Sequence, residues 1–348
     1  MNTFKRVLFF LIRLRGRIFF PFLLLYILLA ALFAYMLEPQ TFETYLTSIY
    51  WVLTTLATIG FGDYAPVTDA GKIYTIFLYI TGIGLVSVFA GKMIGSMKEI
   101  ERRRVGGHMK YKGKDHIILV GWSDKSKIAV QEILESDDKT EIVLIDHLPK
   151  APMDLERLFY IRGDATDKET LMRANFPASK GVIIFADELP ESQSSPKSNL
   201  LIDGKTLLVA TAITSIEESM NLSIHVTAEV LDQKHIRLFR HVDVDEFIPT
   251  REMISHAAVS SLYHHGVTKM YAELMSRQCK EGMYEIPRKT EWITYRDAFE
   301  ALLSQGATLI ADHTDLQINK KLDEKIPENA QLFVICDKET LKRLQTNT

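Results

Sequence analysis

Six consecutive residues, Thr58-Ile59-Gly60-Phe61-Gly62-Asp63, place a hydroxyl, two alternate glycines and a carboxylate between two membrane-length apolar runs. A cage that replaces the water shell of an alkali cation needs main-chain oxygens aimed at one axis. Glycine at alternate positions permits the backbone angles this requires, which a Cβ forbids. The threonine hydroxyl adds one more oxygen below the carbonyls. A glycine-containing turn would account for part of this stretch, but not for all six residues in this order and place. Because each chain supplies one such segment, a closed cage calls for four chains around an axis.

Other residues able to bind a ligand lie further along the chain. Gly121-Trp122-Ser123-Asp124-Lys125-Ser126 follows an apolar strand, where a dinucleotide fingerprint would show three glycines. Only Gly121 matches, which weakens close approach of a pyrophosphate. Asp146 and Asp164 end the next two apolar segments, where acids meet the ribose and base of an adenine nucleotide in nucleotide-binding sheets. Asp187, Glu188 and Glu229 are acids at the ends of later strands, and a solvated acidic surface is the plain reading of them. His116, His264 and His265 are isolated from any acid–base set, so no catalytic residue is assigned. Cys279 and Cys336 lie far apart without a metal-ligand pattern and suit reduced thiols.

These residues have to be positioned by very different elements. Residues 18–36 and 73–91 are each nineteen residues long and uncharged, close to the ~20 needed to cross the hydrocarbon core as a helix. The first run exceeds a signal-peptide core and lacks a small-residue cleavage site after it. Lys5, Arg6, Arg13, Arg15 and Arg17 precede it, and Lys92, Lys98, Arg102, Arg103 and Arg104 follow the second run. Between residues 37 and 71 there is no Lys or Arg. The positive-inside rule puts both termini in the cytoplasm and the intervening segment outside, in a multi-pass protein of the cell membrane. The net charge of −3 averages over this asymmetry and decides nothing by itself.

Residues 1–17 read as an interfacial helix in contact with membrane lipid. An outer helix over 18–36, a re-entrant pore helix over 41–57, the 58–63 segment and an inner helix over 73–97 make a pore domain spanning 1–97. Gly82 lies mid-way along the inner helix, where glycine serves either close packing or bending. A charged linker covers 98–115. From His116 onward, strands alternate with helices to residue 249, which predicts a parallel sheet with right-handed crossovers. Residues 187–203 read as a loop. Two helices broken at His265-Gly266 fill 250–278, and 279–348 make a small α+β unit. The fold class is therefore an α-helical two-span membrane pore domain with a re-entrant pore helix, a cytoplasmic α/β Rossmann-like domain and a small α+β C-terminal subdomain.

The order resembles prokaryotic two-span potassium channels with a cytoplasmic RCK (regulator of K+ conductance) domain, and is similar to the calcium-gated archaeal kind. The resemblance rests on the 58–63 segment, Gly82, Ile118-Leu119-Val120-Gly121-Trp122-Ser123 and Arg162-Gly163-Asp164-Ala165-Thr166. It implies that Thr58, Ile59, Gly60 and Phe61 hold K+ in a selectivity filter completed by Gly62 and Asp63. Phe61 stands where the family has tyrosine, so one hydrogen bond behind the filter is lost. Gly82 is implied as a gating hinge. Gly121, Trp122, Ser123, Asp146 and Asp164 fall at the nucleotide positions. Asp187, Glu188 and Glu229 fall at a Ca2+ site, although Thr227 replaces a further acid there. The regulatory ligand is thus an adenine nucleotide or Ca2+.

The resemblance also implies a homotetramer with paired RCK domains. Eight lobes in a ring would need soluble RCK copies, for which Met109 offers an internal start. No nucleic-acid partner is expected. The alternative is a membrane-anchored NAD-dependent oxidoreductase, which would need an intact fingerprint and a hydride-transfer site.

Overall fold

Three helices build the first part of the chain: α1 (Gly16–Leu37), α2 (Tyr45–Leu56) and α3 (Asp69–Val105). The computed structural model describes residues 16–186 and 196–346. It divides into one unit up to Arg103 and another from Arg104 on. The interfacial helix expected over 1–17 falls outside the described residues apart from Gly16 and Arg17, which belong to α1.

At 22 residues, α1 is about 33 Å long, while the twelve residues of α2 are too short to cross a bilayer. Small residues on α1 (Ala30, Ala31 and Ala34) let α2 approach closely and pack with Phe42, Trp51 and Val52. Tyrosine hydroxyls at the margins find partners: Tyr74 donates to the Ala30 carbonyl at 2.7 Å and Tyr45 to the Leu28 carbonyl at 2.8 Å.

Helix α3 runs unbroken to Val105, well past the expected end at 97. Beyond the membrane-length stretch, Glu99 pairs with Arg103 at 2.9 Å and with Arg102 at 3.4 Å, the i,i+4 and i,i+3 spacings that support a solvated helix.

Glu38, just past α1, is a buried carboxylate that ties three segments together. It accepts from the Thr68 N–H at 2.8 Å, from the Thr68 hydroxyl and from the Thr41 hydroxyl at 3.1 Å. The Thr68 hydroxyl oxygen in turn accepts from the Gly71 N–H at 3.0 Å, capping α3. A Cβ at Gly71 would stand 2.2 Å from a Glu38 oxygen, so this junction requires glycine. Glu38→Ala orphans these donors and is expected to cost about 1–3 kcal/mol. An unchanged thermal midpoint of the detergent-solubilised protein would contradict that.

The second unit is built on a six-stranded parallel sheet in the order β3-β2-β1-β4-β5-β6. Its strands are β1 (His116–Val120), β2 (Ile142–Asp146), β3 (Leu158–Arg162), β4 (Ser179–Ile184), β5 (His225–Val230) and β6 (Glu246–Pro249). Their β-branched runs are buried on both faces, as a parallel sheet requires. Helices α4 (Asp124–Ser136), α5 (Lys168–Arg173) and α6 (Pro196–Met220) provide crossovers.

Helix α6 begins inside the segment expected to be a loop: residues 196–203 are helical. Its apolar face (Val209, Ala210, Ile213, Ile216) packs into the sheet core, which outweighs the polar local composition. By length and composition α1, α3 and residues 199–220 of α6 could each cross a membrane, but α6 is committed to this core.

Helices α7 (Thr250–Tyr263) and α8 (Val267–Met275) follow, separated by Gly266 at φ +89°. They bury no residue of their own and leave Ile254, Val259, Leu262, Tyr263 and Met275 exposed. An antiparallel sheet in the order β7-β9-β8 completes the chain, from β7 (Glu281–Ile286), β8 (Thr308–Asp312) and β9 (Leu332–Asp337), with α9 (Tyr295–Ser304) and α10 (Lys338–Thr346).

Residues 105–115 are docked on the second unit. The Gly107 carbonyl accepts from the Arg162 N–H at 3.0 Å and from the Arg173 guanidinium. Tyr111 N–H donates to the Arg173 carbonyl at 2.9 Å, and Asn175 Nδ2 to the Gly113 carbonyl at 2.8 Å. The Tyr111 ring lies 4.5 Å from the fully buried His116 ring, and its hydroxyl meets the Glu141 carboxylate.

His116 donates through Nε2 to the Ala174 carbonyl at 2.9 Å, and its buried Nδ1 has no partner among the described residues. Burial holds the imidazole below its ordinary value, against the opposing pull of the Ala174 carbonyl, Glu141 and Asp115. A depressed pKa means the fold disfavours the proton. Its stability contribution is therefore complete above the unfolded value of about 6.5 and is lost as pH falls below it. His116→Phe should flatten the decline of the thermal midpoint between pH 7.5 and 5.5, and an identical decline would exclude His116 as its source.

Candidate ion pathway and ligand pocket

Helix α2 delivers the chain directly into the 58–63 segment. Its N-terminus is capped by the Thr44 hydroxyl, which accepts from the Thr47 N–H at 3.2 Å. At the other end, the Thr54 carbonyl accepts from the N–H groups of Ile59 (2.9 Å) and Gly60 (3.3 Å). These bonds fold the chain back against the helix end.

Backbone φ is then +58° at Thr58, +55° at Gly60 and +80° at Gly62, with negative values between them. Positive φ at every second residue reverses the hand of the backbone between neighbours, an alternation that lets successive carbonyls be aimed to one side of the segment. Thr58 adopts it despite its β-branch, a cost of order 1–3 kcal/mol. The side chains of Ile59 and Phe61 are exposed on the isolated chain. Asp63 accepts from the Tyr64 N–H at 3.1 Å.

Gly82 is buried in α3, and a Cβ there would lie 2.3 Å from Leu56 Cδ2 at the end of α2. Of the two uses open to this glycine, close packing is the one for which the structure supplies a contact. Gly84, Gly91 and Gly95 have open space beside them.

A pocket opens at the C-terminal ends of β1 and β4, where crossovers diverge to opposite sides of the sheet. This is the switch point at which doubly wound sheets bind ligands. Gly121, Asp146 and Asp164 line it, together with His147, Lys205 and Thr206. The last three were not singled out from sequence; the position of His147 directly after a strand-end acid was the available signal.

Asp146 Oδ2 accepts from the Trp122 N–H at 2.7 Å, and its Oδ1 from the Leu148 N–H at 3.0 Å. Asp164 Oδ1 accepts from the N–H (2.9 Å) and hydroxyl (2.8 Å) of Thr166. The Thr166 N–H above all holds the Asp164 carboxyl below its usual range, with its hydroxyl, His147 and Lys205 adding to this against burial. Its Oδ2 faces His147 Nε2 at 3.9 Å.

Trp122 and Ser123 do not line this pocket. Trp122 is half-buried against the β2 side of the sheet, and Ser123 caps α4.

Glu229, expected among calcium ligands, is fully engaged. Both of its oxygens lie 2.8 Å from Lys125 Nζ, and they also accept from the Thr250 hydroxyl (2.6 Å) and the Ala186 N–H (2.8 Å). In this structure the Lys125 ammonium takes up the face of Glu229 that a divalent ion would use. Asp187 and Glu188 lie outside the described residues, and among the described residues no three metal-ligating side chains gather. Lys125 carried a signal of its own, since a cation in the first turn of a helix opposes the helix dipole and calls for a carboxylate.

A pair of membrane-length helices, a short helix leading into a Gly-x-Gly turn between them, and a nucleotide-type parallel domain make up the architecture of an ion channel with an attached regulatory domain. The sequence profile described as "Ion channel" matches residues 22–99, and that of the "TrkA-N domain" matches residues 117–250. The putative potassium channel protein YugO of Bacillus subtilis is 30% identical over 232 residues, covering 66% of this chain and 67% of that protein. The chain belongs to this family of prokaryotic potassium channels.

The calcium-gated potassium channel TvoK of Thermoplasma volcanium is 25% identical over 67% of this chain and 64% of its own length. Among solved structures, the human SLO3 gating ring matches with a TM-score of 0.51 and 16% identity, over 66% of this chain and 46% of that chain, a likeness of fold. The GsuK channel bound to NAD matches at a TM-score of 0.44 and 17% identity, over 94% of this chain and 58% of that one. The chain therefore spans about two thirds of its named relatives and less of these solved chains. A membrane-anchored oxidoreductase is not favoured by these relationships.

Proposed function

We propose that this protein is a homotetrameric, potassium-selective channel of the cell membrane, with both ends of the chain in the cytoplasm. A ligand of its Rossmann-type domain opens or closes it. The observation that carries the reading is the alternation of left-handed backbone at Thr58, Gly60 and Gly62. Four such segments around an axis would present carbonyls of Thr58, Ile59, Gly60 and Phe61 to a dehydrated K+.

The ligand is an adenine nucleotide. Support comes from the lining of the pocket, where apolar side chains could stack against a base and the Asp146 and Asp164 carboxylates could accept from ribose hydroxyls and an exocyclic amine. Exposed apolar faces on α7 and α8 suit pairing with a second copy of the domain. Bending of α3 at Gly82 would release its contact with Leu56 and serve as the gate.

Purified protein in liposomes should take up Rb+, be blocked by Ba2+ and exclude Na+. Conduction of Na+ as readily as K+ would overturn the reading, as would NAD reduction without cation flux.

A further inference from the structure

A diphosphate bound to a parallel sheet of this kind rests on free N–H groups where the first strand turns into its helix. In this chain four of the donors at that turn, the N–H groups of Gly121, Trp122, Ser123 and Ser126, are already occupied. The Gly121 N–H donates to the Ile145 carbonyl at 3.0 Å, and the Trp122 N–H to Asp146 Oδ2 at 2.7 Å. The Ser123 N–H donates to Ser126 Oγ at 2.6 Å, while the Ser126 N–H returns to Ser123 Oγ at 3.4 Å. Ser126 Oγ also donates to the Ser123 carbonyl at 3.0 Å and is fully buried, which locks the box.

The charges at this turn give a phosphate no compensation. The Lys125 ammonium is bound between the two oxygens of Glu229, and Asp124 adds a negative charge to the first turn of α4. Side chains at Ser123 and Ser126 occupy positions where the fold otherwise uses glycine to let a pyrophosphate approach. The groups suited to a base and ribose, by contrast, line the pocket: Gly121, Asp146, His147, Asp164, Lys205 and Thr206 do so, and no residue from 122 to 126 does.

We propose that the pocket takes an adenine nucleoside or its monophosphate and discriminates against nucleoside diphosphates and dinucleotides. This rests on the nucleotide reading given above and adds to it the class of ligand. A second phosphate would have to break the Ser123–Ser126 box or the Trp122–Asp146 bond before those N–H groups could hold it.

Calorimetric titration of the full-length protein in detergent with adenosine, AMP, ADP and NAD+ tests this. Adenosine or AMP should bind at least about tenfold more tightly than ADP or NAD+, equivalent to about 1.4 kcal/mol. Ser126→Ala frees the Ser123 N–H and should narrow that gap by strengthening ADP and NAD+ relative to AMP. Asp164→Asn should weaken every ligand alike. Binding of NAD+ or ADP as tight as AMP, or a gap unmoved by Ser126→Ala, overturns the selectivity while leaving the nucleotide reading in place. If none of the four ligands binds, the nucleotide reading fails and takes this inference with it.

Discussion

Gly62→Ala is expected to abolish Rb+ uptake into liposomes while leaving the protein folded. Nothing in the same chain lies within 4 Å of a Cβ added there, so crowding by its own neighbours is not the reason. Backbone φ at Gly62 is +80°, in the left-handed region, which costs an L-residue roughly 1–2 kcal/mol. In the proposed tetramer the cost is incurred four times around one axis, on the order of 4–8 kcal/mol per pore. A row of carbonyls that relaxes by peptide rotation relieves this strain and destroys the cage. Gly84→Ala is the matched control, because its surroundings are equally open and its φ is that of an ordinary helix. That variant should conduct. Equal uptake by both variants would show that the backbone at Gly62 does not set conduction.

Gly107→Val should detach the 105–115 segment from the Rossmann-type unit. Gly107 sits at φ +69°, where a β-branched residue is a severe outlier, and its Cβ would lie 2.3 Å from the Arg162 nitrogen. A backbone atom cannot step aside as the end of a side chain can. Losing the Arg162 and Arg173 bonds to the Gly107 carbonyl adds about 2–4 kcal/mol to the strain, one bond being charge-assisted. Hydrogen exchange in the full-length protein should show faster exchange at Tyr111, whose N–H is otherwise held by the Arg173 carbonyl. Basal Rb+ flux should persist while its response to a bound ligand disappears. Unchanged protection at Tyr111 would mean the segment is held by something else.

What could be read in the sequence was the chemistry that the backbone itself performs. Alternate glycines after an amphipathic segment specify their own geometry, so the left-handed positions at 60 and 62 were written in residue type; Thr58, which has a Cβ, was not legible in that way. Likewise, β-branched runs such as Ile117–Val120 and Ile142–Ile145 declare buried parallel strands without help from distant residues.

The rest depended on partners that spacing does not reveal. Lys125 and Glu229 are 104 positions apart, and neither announces the other. The early start of α6 is imposed by packing of its later turns on the sheet. The reach of α3 to Val105 was hidden by its charges, which are its support: Glu99 with Arg102 and Arg103 stabilises a helix where apolar periodicity has run out. Gly107 reads as an ordinary linker glycine until Arg162 and Arg173 are brought against it.

The carboxylate of Glu229 grips Lys125 in the first turn of α4 and Thr250 at the first residue of α7, so the two helices share one buried anchor. Thermodynamic reciprocity follows from such a shared anchor: any free energy by which α4 biases α7, α7 must return to α4 undiminished. A partner that bound α7 and displaced Thr250 from Glu229 would thus act on the turn at Ser123 without touching it.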